Sequence, residues 1–207
     1  MDRPYVIGLT GSIGMGKTET LGLFAAQDIP VYDADAAVHR LYARDGAAVK
    51  PGGKTFPAAV KDGAIDRAAL SRLIEQDPEA LKTLERLVHP LIAAERERFI
   101  DAAARAGARI VVLDIPLLFE TGTDTQVDAI VVASAPSHIQ HERVLARRGM
   151  TPEKFAFLHA RQVPDAEKRA KAHFVVVTDK GLDHAAGQVR LILDEIRARL
   201  EKDAKDA

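Results

Sequence analysis

The sequence predicts an α/β protein with a mostly parallel sheet of five strands and a phosphate-binding loop after the first. Two observations carry this. Short apolar runs rich in Val, Ile and Leu alternate with helical patterns, as in sheets buried on both faces. And Gly11-Ser12-Ile13-Gly14-Met15-Gly16-Lys17-Thr18 satisfies G-x-x-x-x-G-K-[ST] between a strand and a helix.

The strand candidates are Tyr5–Thr10, Ile29–Tyr32, Arg109–Ile115, Ala129–Ala133 and Phe174–Thr178. A helix-like run from Glu19 leaves the loop. An insertion of about 34–107 separates the second and third strands, too long for a simple crossover and helical in pattern. Within it, Asp66 reads as an N-cap for Arg67–Gln76, where Leu70, Leu73 and Ile74 share one face. Asp77-Pro78 restarts a helix through Leu87, and another follows His89-Pro90 to about Ala106. Lys50–Gly63, rich in Gly and Pro, reads as loop. Residues 137–171 read as two or three arginine-bearing helices. The last helix, about Asp183–Lys202, aligns Val189, Ile192, Leu193, Ile196 and Leu200 on one side.

The 207 residues suffice for one α/β domain with insertions. Lys and Arg number 29 against 30 Asp and Glu, a net charge of −1, so no global basic excess points to nucleic acid. Without cysteine, disulfides and cysteine-ligated zinc are excluded. No signal-peptide pattern or membrane-length apolar run is present, so a soluble cytoplasmic protein without membrane contact is expected.

The loop carries the clearest chemistry. Its glycines let the backbone approach an anion, and its N–H groups face phosphate oxygens at a helix N-terminus. Lys17 suits the β- and γ-phosphates of a nucleoside triphosphate, and Thr18 offers a hydroxyl to Mg²⁺. Asp33 and Asp35 follow the second strand, where open parallel sheets bind ligands. Either could take a proton from an acceptor hydroxyl or cap a helix; Asp33, nearer the strand end, is the preferred base. Asp114 ends an apolar run and is a second candidate for the metal. Arg143 and Arg147, four apart on one helical face, could neutralise phosphoryl charge or form a solvated face. His89 is either structural or part of a site.

Several blocks resemble one known family, the dephospho-coenzyme A kinases. They are Ile7–Thr18, Ile29-Pro30-Val31-Tyr32-Asp33-Ala34-Asp35 with His39, Asp62–Arg67, Leu87–Pro90, Ile115-Pro116-Leu117-Leu118-Phe119-Glu120, Gln140–Arg143 and Arg161-Gln162, in family order over about Val6 to Gly181. The resemblance implies a P-loop kinase core, a helical acceptor-binding insertion at 34–107 and an arginine-bearing lid at 137–171. It implies transfer of the γ-phosphate of ATP to the 3′-hydroxyl of dephospho-coenzyme A, the last step of coenzyme A synthesis. By position it makes Asp33 the base, with Lys17 and Arg143 also catalytic. Residues 11–18 and Arg147 would bind ATP, with Thr18 and Asp114 toward Mg²⁺. Asp33, His89, Leu117, Glu120 and Arg161 would serve the acceptor.

Departures from the family pattern include Ser12, Met15, Phe56-Pro57, His173 and Thr178-Asp179, the last on the nucleotide side. The nearest rival is another P-loop kinase acting on a nucleotide or small metabolite. A GTP-binding switch would carry Asn-Lys-x-Asp, which this sequence lacks. Its size and balanced charge disfavour an ATP-dependent nucleic-acid protein.

Overall fold

The computed structural model describes residues 3–206. Met1, Asp2 and Ala207, at the ends of the expected 1–207 domain, lie outside the described residues. The chain forms two compact units, Tyr32–Ala106 and the remainder on either side of it in sequence.

The larger unit is built on a five-stranded sheet. Its strands are β1 (Tyr5–Thr10), β2 (Val31–Tyr32), β5 (Ile110–Asp114), β6 (Ala129–Ser134) and β7 (Phe174–Val177), in the order β2-β5-β1-β6-β7. β1 runs parallel to both β5 and β6, and β6 runs parallel to β7. The carboxyl ends of these four strands therefore lie along one edge, where open sheets place their ligands. Alternation along β6 shows why the runs are apolar throughout. Val131 joins a core with Ile7, Leu9, α1 (Lys17–Ala25) and α9 (Leu182–Asp206). Its neighbours Ile130 and Val132 join Leu118 in another. Val189, Ile192, Leu193 and Ile196 of α9 are buried as expected. Between β6 and β7 run α6 (Ser137–Leu145), α7 (Pro152–His159) and α8 (Asp165–Lys171).

The Tyr32–Ala106 unit has its own core of Leu41, Phe56, Ile65, Leu70 and Val88. Its helices are α2 (Ala34–Tyr42), α3 (Val49–Thr55), α4 (Arg67–Gln76) and α5 (Pro78–Arg105). Asp66 caps α4 as its sequence position suggested, accepting from the N–H groups of Ala68 and Ala69.

Two expectations fail here. Lys50–Gly63 is not open loop: it holds most of α3, a 3-10 turn at Pro57–Ala59 and β3 (Val60–Lys61), which pairs antiparallel with β4 (Ala64–Ile65). Burial explains it. Gly52 lies so close under Ile65 that an added Cβ would come within 2.9 Å of its Cδ1, and tertiary contact of this kind overrides Gly-rich propensity. Nor does the chain break at His89-Pro90. α5 runs unbroken through Pro90, although proline removes one helical hydrogen bond. Leu87, Val88, Leu91 and Ile92 pack into the same core on both sides of it, and that burial holds the helix together.

Candidate active site

The loop after β1 is shaped by close approaches. At Gly11 an added Cβ would stand 2.7 Å from the carbonyl oxygen of Ala133. Gly16 has φ +83°, and a Cβ there would meet the Thr178 hydroxyl at 2.9 Å; only glycine suits both demands. Downstream residues tie the loop in place. The Ile13 N–H donates to Gln162 Oε1 (2.9 Å), and its carbonyl accepts from Gln140 Nε2 (2.8 Å). The Ala135 N–H points at Met15 Sδ (3.2 Å). Ser12 is buried, and Thr18 is exposed at the start of α1.

Lys17 Nζ lies 2.5 and 2.7 Å from the two carboxylate oxygens of Asp114, at the end of β5. Both side chains are largely buried, at 15% and 5% exposure. Arg143, on α6, donates from Nη1 to the Thr178 hydroxyl (2.9 Å) and from Nη2 to the Thr178 carbonyl (2.7 Å). That hydroxyl donates in turn to the carbonyl of Met15 (2.9 Å). Arg143 and Arg147 line one cavity of about 620 Å³ with Gly14, Gly16, Thr178 and Leu182. A glycine loop and two guanidinium groups around one cavity have the chemistry to receive a polyphosphate, with Glu19 and Asp179 also on its wall.

A second cluster surrounds Glu120. Its Oε1 accepts from the Val163 N–H (2.8 Å) and pairs at 2.8 Å with Lys168 Nζ, a side chain with no exposed surface. Burial alone would raise this carboxyl's pKa, but Lys168 and the Val163 N–H outweigh it and hold the group below the ordinary value. Arg161 is exposed and stacks over the Phe157 ring at 3.9 Å. Leu117 is 43% exposed.

The remaining candidates lie in the Tyr32–Ala106 unit. Asp33 is the N-cap of α2, its Oδ1 accepting from the Ala36 N–H (2.9 Å). Asp35, the other candidate cap, is exposed in the first turn. His89 is exposed on α5, and His39 Nε2 lies 2.8 Å from Arg67 Nη1. Among the described residues, no three His, Cys, Asp or Glu side chains cluster to hold a metal, and no helix is long and apolar enough to cross a membrane.

The sequence profile of the dephospho-CoA kinase family, CoaE, matches residues 5–184. The chain belongs to the dephospho-CoA kinase family. It is 51% identical over 189 residues to the dephospho-CoA kinase of Rhodopseudomonas palustris strain HaA2, covering 91% of this chain and 94% of that one. Among solved structures, TT1252 from Thermus thermophilus superposes with a TM-score of 0.79 at 34% identity, over 94% of this chain and 98% of that one. A dephospho-CoA kinase from Campylobacter jejuni shares the fold at a TM-score of 0.67 and 20% identity, over 94% and 98% of the two chains.

Within that family frame, the residues that sequence reading missed are the loop's uncharged holders. Gln140 and Gln162 belong to blocks that carried the resemblance, yet nothing local marked them as partners of Ile13. Thr178 stood out only as a departure from the family pattern. His173, another departure, accepts the Ile130 N–H at Nδ1 (3.0 Å), work that a carboxylate could also do.

Proposed function

We propose that this chain transfers the γ-phosphate of ATP to the 3′-hydroxyl of dephospho-coenzyme A, giving coenzyme A and ADP. The observation that carries it is the dephospho-CoA kinase family match across residues 5–184. The glycine loop with Lys17, Arg143 and Arg147 supports the donor side.

Phosphoryl transfer spreads charge over the equatorial oxygens of the moving group, and catalysis consists mainly of placing counter-charge and the nucleophile. Lys17 and Arg143 supply the counter-charge, with residues 11–18 and Arg147 binding the triphosphate. Asp33 orients the acceptor hydroxyl and takes its proton. Its Oδ1 is already fixed by the cap to Ala36, which holds the carboxylate's orientation. The Thr18 hydroxyl and the Asp114 carboxylate are hard oxygen donors that suit Mg²⁺. When bound, the ion would neutralise part of the triphosphate's charge. Residues 34–107 serve the acceptor, as do the side chains of His89, Leu117, Glu120 and Arg161, and residues 137–171 act as the lid. The setting is cytoplasmic, with a small diffusible substrate and neither nucleic acid nor membrane as partner.

The test is a coupled assay of ADP release from MgATP. Release should depend on added dephospho-coenzyme A and leave a product phosphorylated at the 3′ position. Equal release with and without the acceptor, or faster release with another small alcohol, would overturn the assignment.

A further inference from the structure

We propose that Thr178 is a positioning residue for phosphoryl transfer: it fixes the Arg143 guanidinium against the phosphate loop before nucleotide arrives. The proposal rests on reading that loop as the ATP site. Thr178 immediately follows β7, the last strand of the sheet. An edge strand presents N–H and C=O groups that no further strand will pair. Here Gln188 of α9 takes both at Val177, accepting its N–H (2.9 Å) and donating to its carbonyl (3.0 Å). The backbone entering Thr178 is thereby held from the helix side.

Every polar group of Thr178 is then engaged. Its N–H donates to the Ser134 carbonyl at 2.9 Å, tying it to the end of β6. Its hydroxyl hydrogen goes to the Met15 carbonyl, and a lone pair on the same oxygen accepts from Arg143 Nη1. Its carbonyl accepts from Arg143 Nη2. A hydroxyl has one hydrogen to give and two lone pairs to offer. The loop carbonyl uses the hydrogen, so the oxygen is left to face a donor, which is what a guanidinium supplies. Two N–H groups of one rigid, planar fork landing on one residue fix direction as well as distance. The side chain also rests against Gly16, where any Cβ would collide with it. One small residue thus joins the loop, the arginine and two strand ends.

The consequence is kinetic as well as structural. An arginine carried on a free helix must lose rotamer freedom on meeting its ligand. Here the two bonds from Thr178 supply that ordering from within the chain. Both oxygens holding Arg143 are neutral, so this grip itself does not cancel the guanidinium charge, although Glu19 and Asp179 line the same cavity.

The experiment measures binding of β,γ-imido ATP by calorimetry, with kcat and KM for ATP, in Thr178→Val, Thr178→Ser, Arg143→Ala and the Thr178→Val/Arg143→Ala double variant. Valine keeps the shape and removes the hydroxyl; analogue affinity and kcat/KM should fall roughly ten- to hundredfold. Serine keeps the hydroxyl and should stay within roughly threefold of the unaltered chain. The double variant should bind no more weakly than Arg143→Ala alone, because the threonine acts through the arginine. A valine variant that binds like the unaltered chain, a serine variant as weak as the valine one, or single losses that multiply in the double variant would each overturn the proposal. Melting temperatures of all four check that each is folded. The analogue needs no acceptor. A coupling seen in binding without turnover of dephospho-coenzyme A would therefore leave Thr178's role standing and remove the acceptor assignment alone.

Discussion

Glu120→Gln separates two roles for a residue assigned to the acceptor pocket. In the structure its carboxylate touches Lys168, whose side chain has no exposed surface, and the Val163 N–H. Glutamine retains an oxygen for Val163 but leaves the Lys168 ammonium buried without a counter-charge. Breaking such a pair costs about 3–5 kcal/mol. The other carboxylate oxygen of Glu120 is buried and has no hydrogen-bond partner, so the lower end, about 3 kcal/mol, is expected here. For a chain of this size that lowers the melting temperature by about 6–12 °C. Glu120→Gln combined with Lys168→Met removes both charges and should recover most of the loss. The pH dependence has a definite sign. The folded carboxyl sits below its ordinary value, because Lys168 and the Val163 N–H outweigh burial. Its stabilisation is therefore complete above the pKa of an unfolded glutamate and is lost as pH falls through that value toward the folded one. The gap between the unaltered chain and Glu120→Gln should accordingly be widest near neutrality and close in acid. Thermal melts across pH, with KM for dephospho-coenzyme A, form the assay. A Glu120→Gln chain melting within about 2 °C of the unaltered one, with a raised acceptor KM, would refute the anchoring argument and make Glu120 a direct acceptor contact.

Three further outcomes are expected. Lys17→Ala should reduce turnover by at least roughly 10²-fold, and it should also lower the melting temperature, because the buried Asp114 carboxylate loses its ion pair with Lys17; near-normal turnover would show that this loop is not catalytic. Arg143→Ala should lower kcat/KM for ATP roughly ten- to hundredfold with acceptor KM unchanged, and a loss confined to acceptor affinity would move the arginine to the acceptor side. Asp33→Asn should slow single turnover by roughly 10²–10⁴-fold with ATP affinity little changed, since asparagine caps α2 as well as aspartate does; if Asp35→Asn is instead the inactive variant, the base has been assigned to the wrong carboxylate.

The sheet was legible because three of its strands are nearly continuous in Val, Ile and Leu, and α9 because five apolar residues recur at helical spacing. The strand ends moved by only one or two residues. What the sequence hid depends on distant partners. Nothing near Gly52 says that Ile65 will close over it, so a Gly-rich stretch read as loop became helix and hairpin. Nothing beside Pro90 says that burial on both flanks will carry the helix through it. The site divides the same way. The phosphate loop is written in eight adjacent residues, and its residue types announce their chemistry. Its holders are uncharged side chains 127 to 163 residues away, Gln140 and Gln162 on Ile13 and Thr178 on Met15. A glutamine or threonine suits almost any surface, so only the fold reveals what it holds.

Those holders divide into ones that can stay and ones that must yield. Thr178 holds Arg143 through neutral oxygens and can keep its grip while the guanidinium meets a phosphate with its remaining donors. Asp114 holds Lys17 with both carboxylate oxygens, so Lys17 must exchange a carboxylate for phosphate, one anion for another. Gln162 occupies the Ile13 N–H, a group that a bound polyphosphate would also seek. It lies one residue before Val163, which Glu120 anchors together with Lys168. The segment around 162–168 is therefore tied to the phosphate loop by Gln162, to the turn after β5 by Val163 and Lys168, and to the end of β6 by Asp165, which accepts from the Ser134 hydroxyl (2.7 Å). A phosphate that displaced Gln162 from Ile13 would free only the first of these ties. Glu120 would keep the second and the Ser134 hydroxyl the third, so the segment would stay attached.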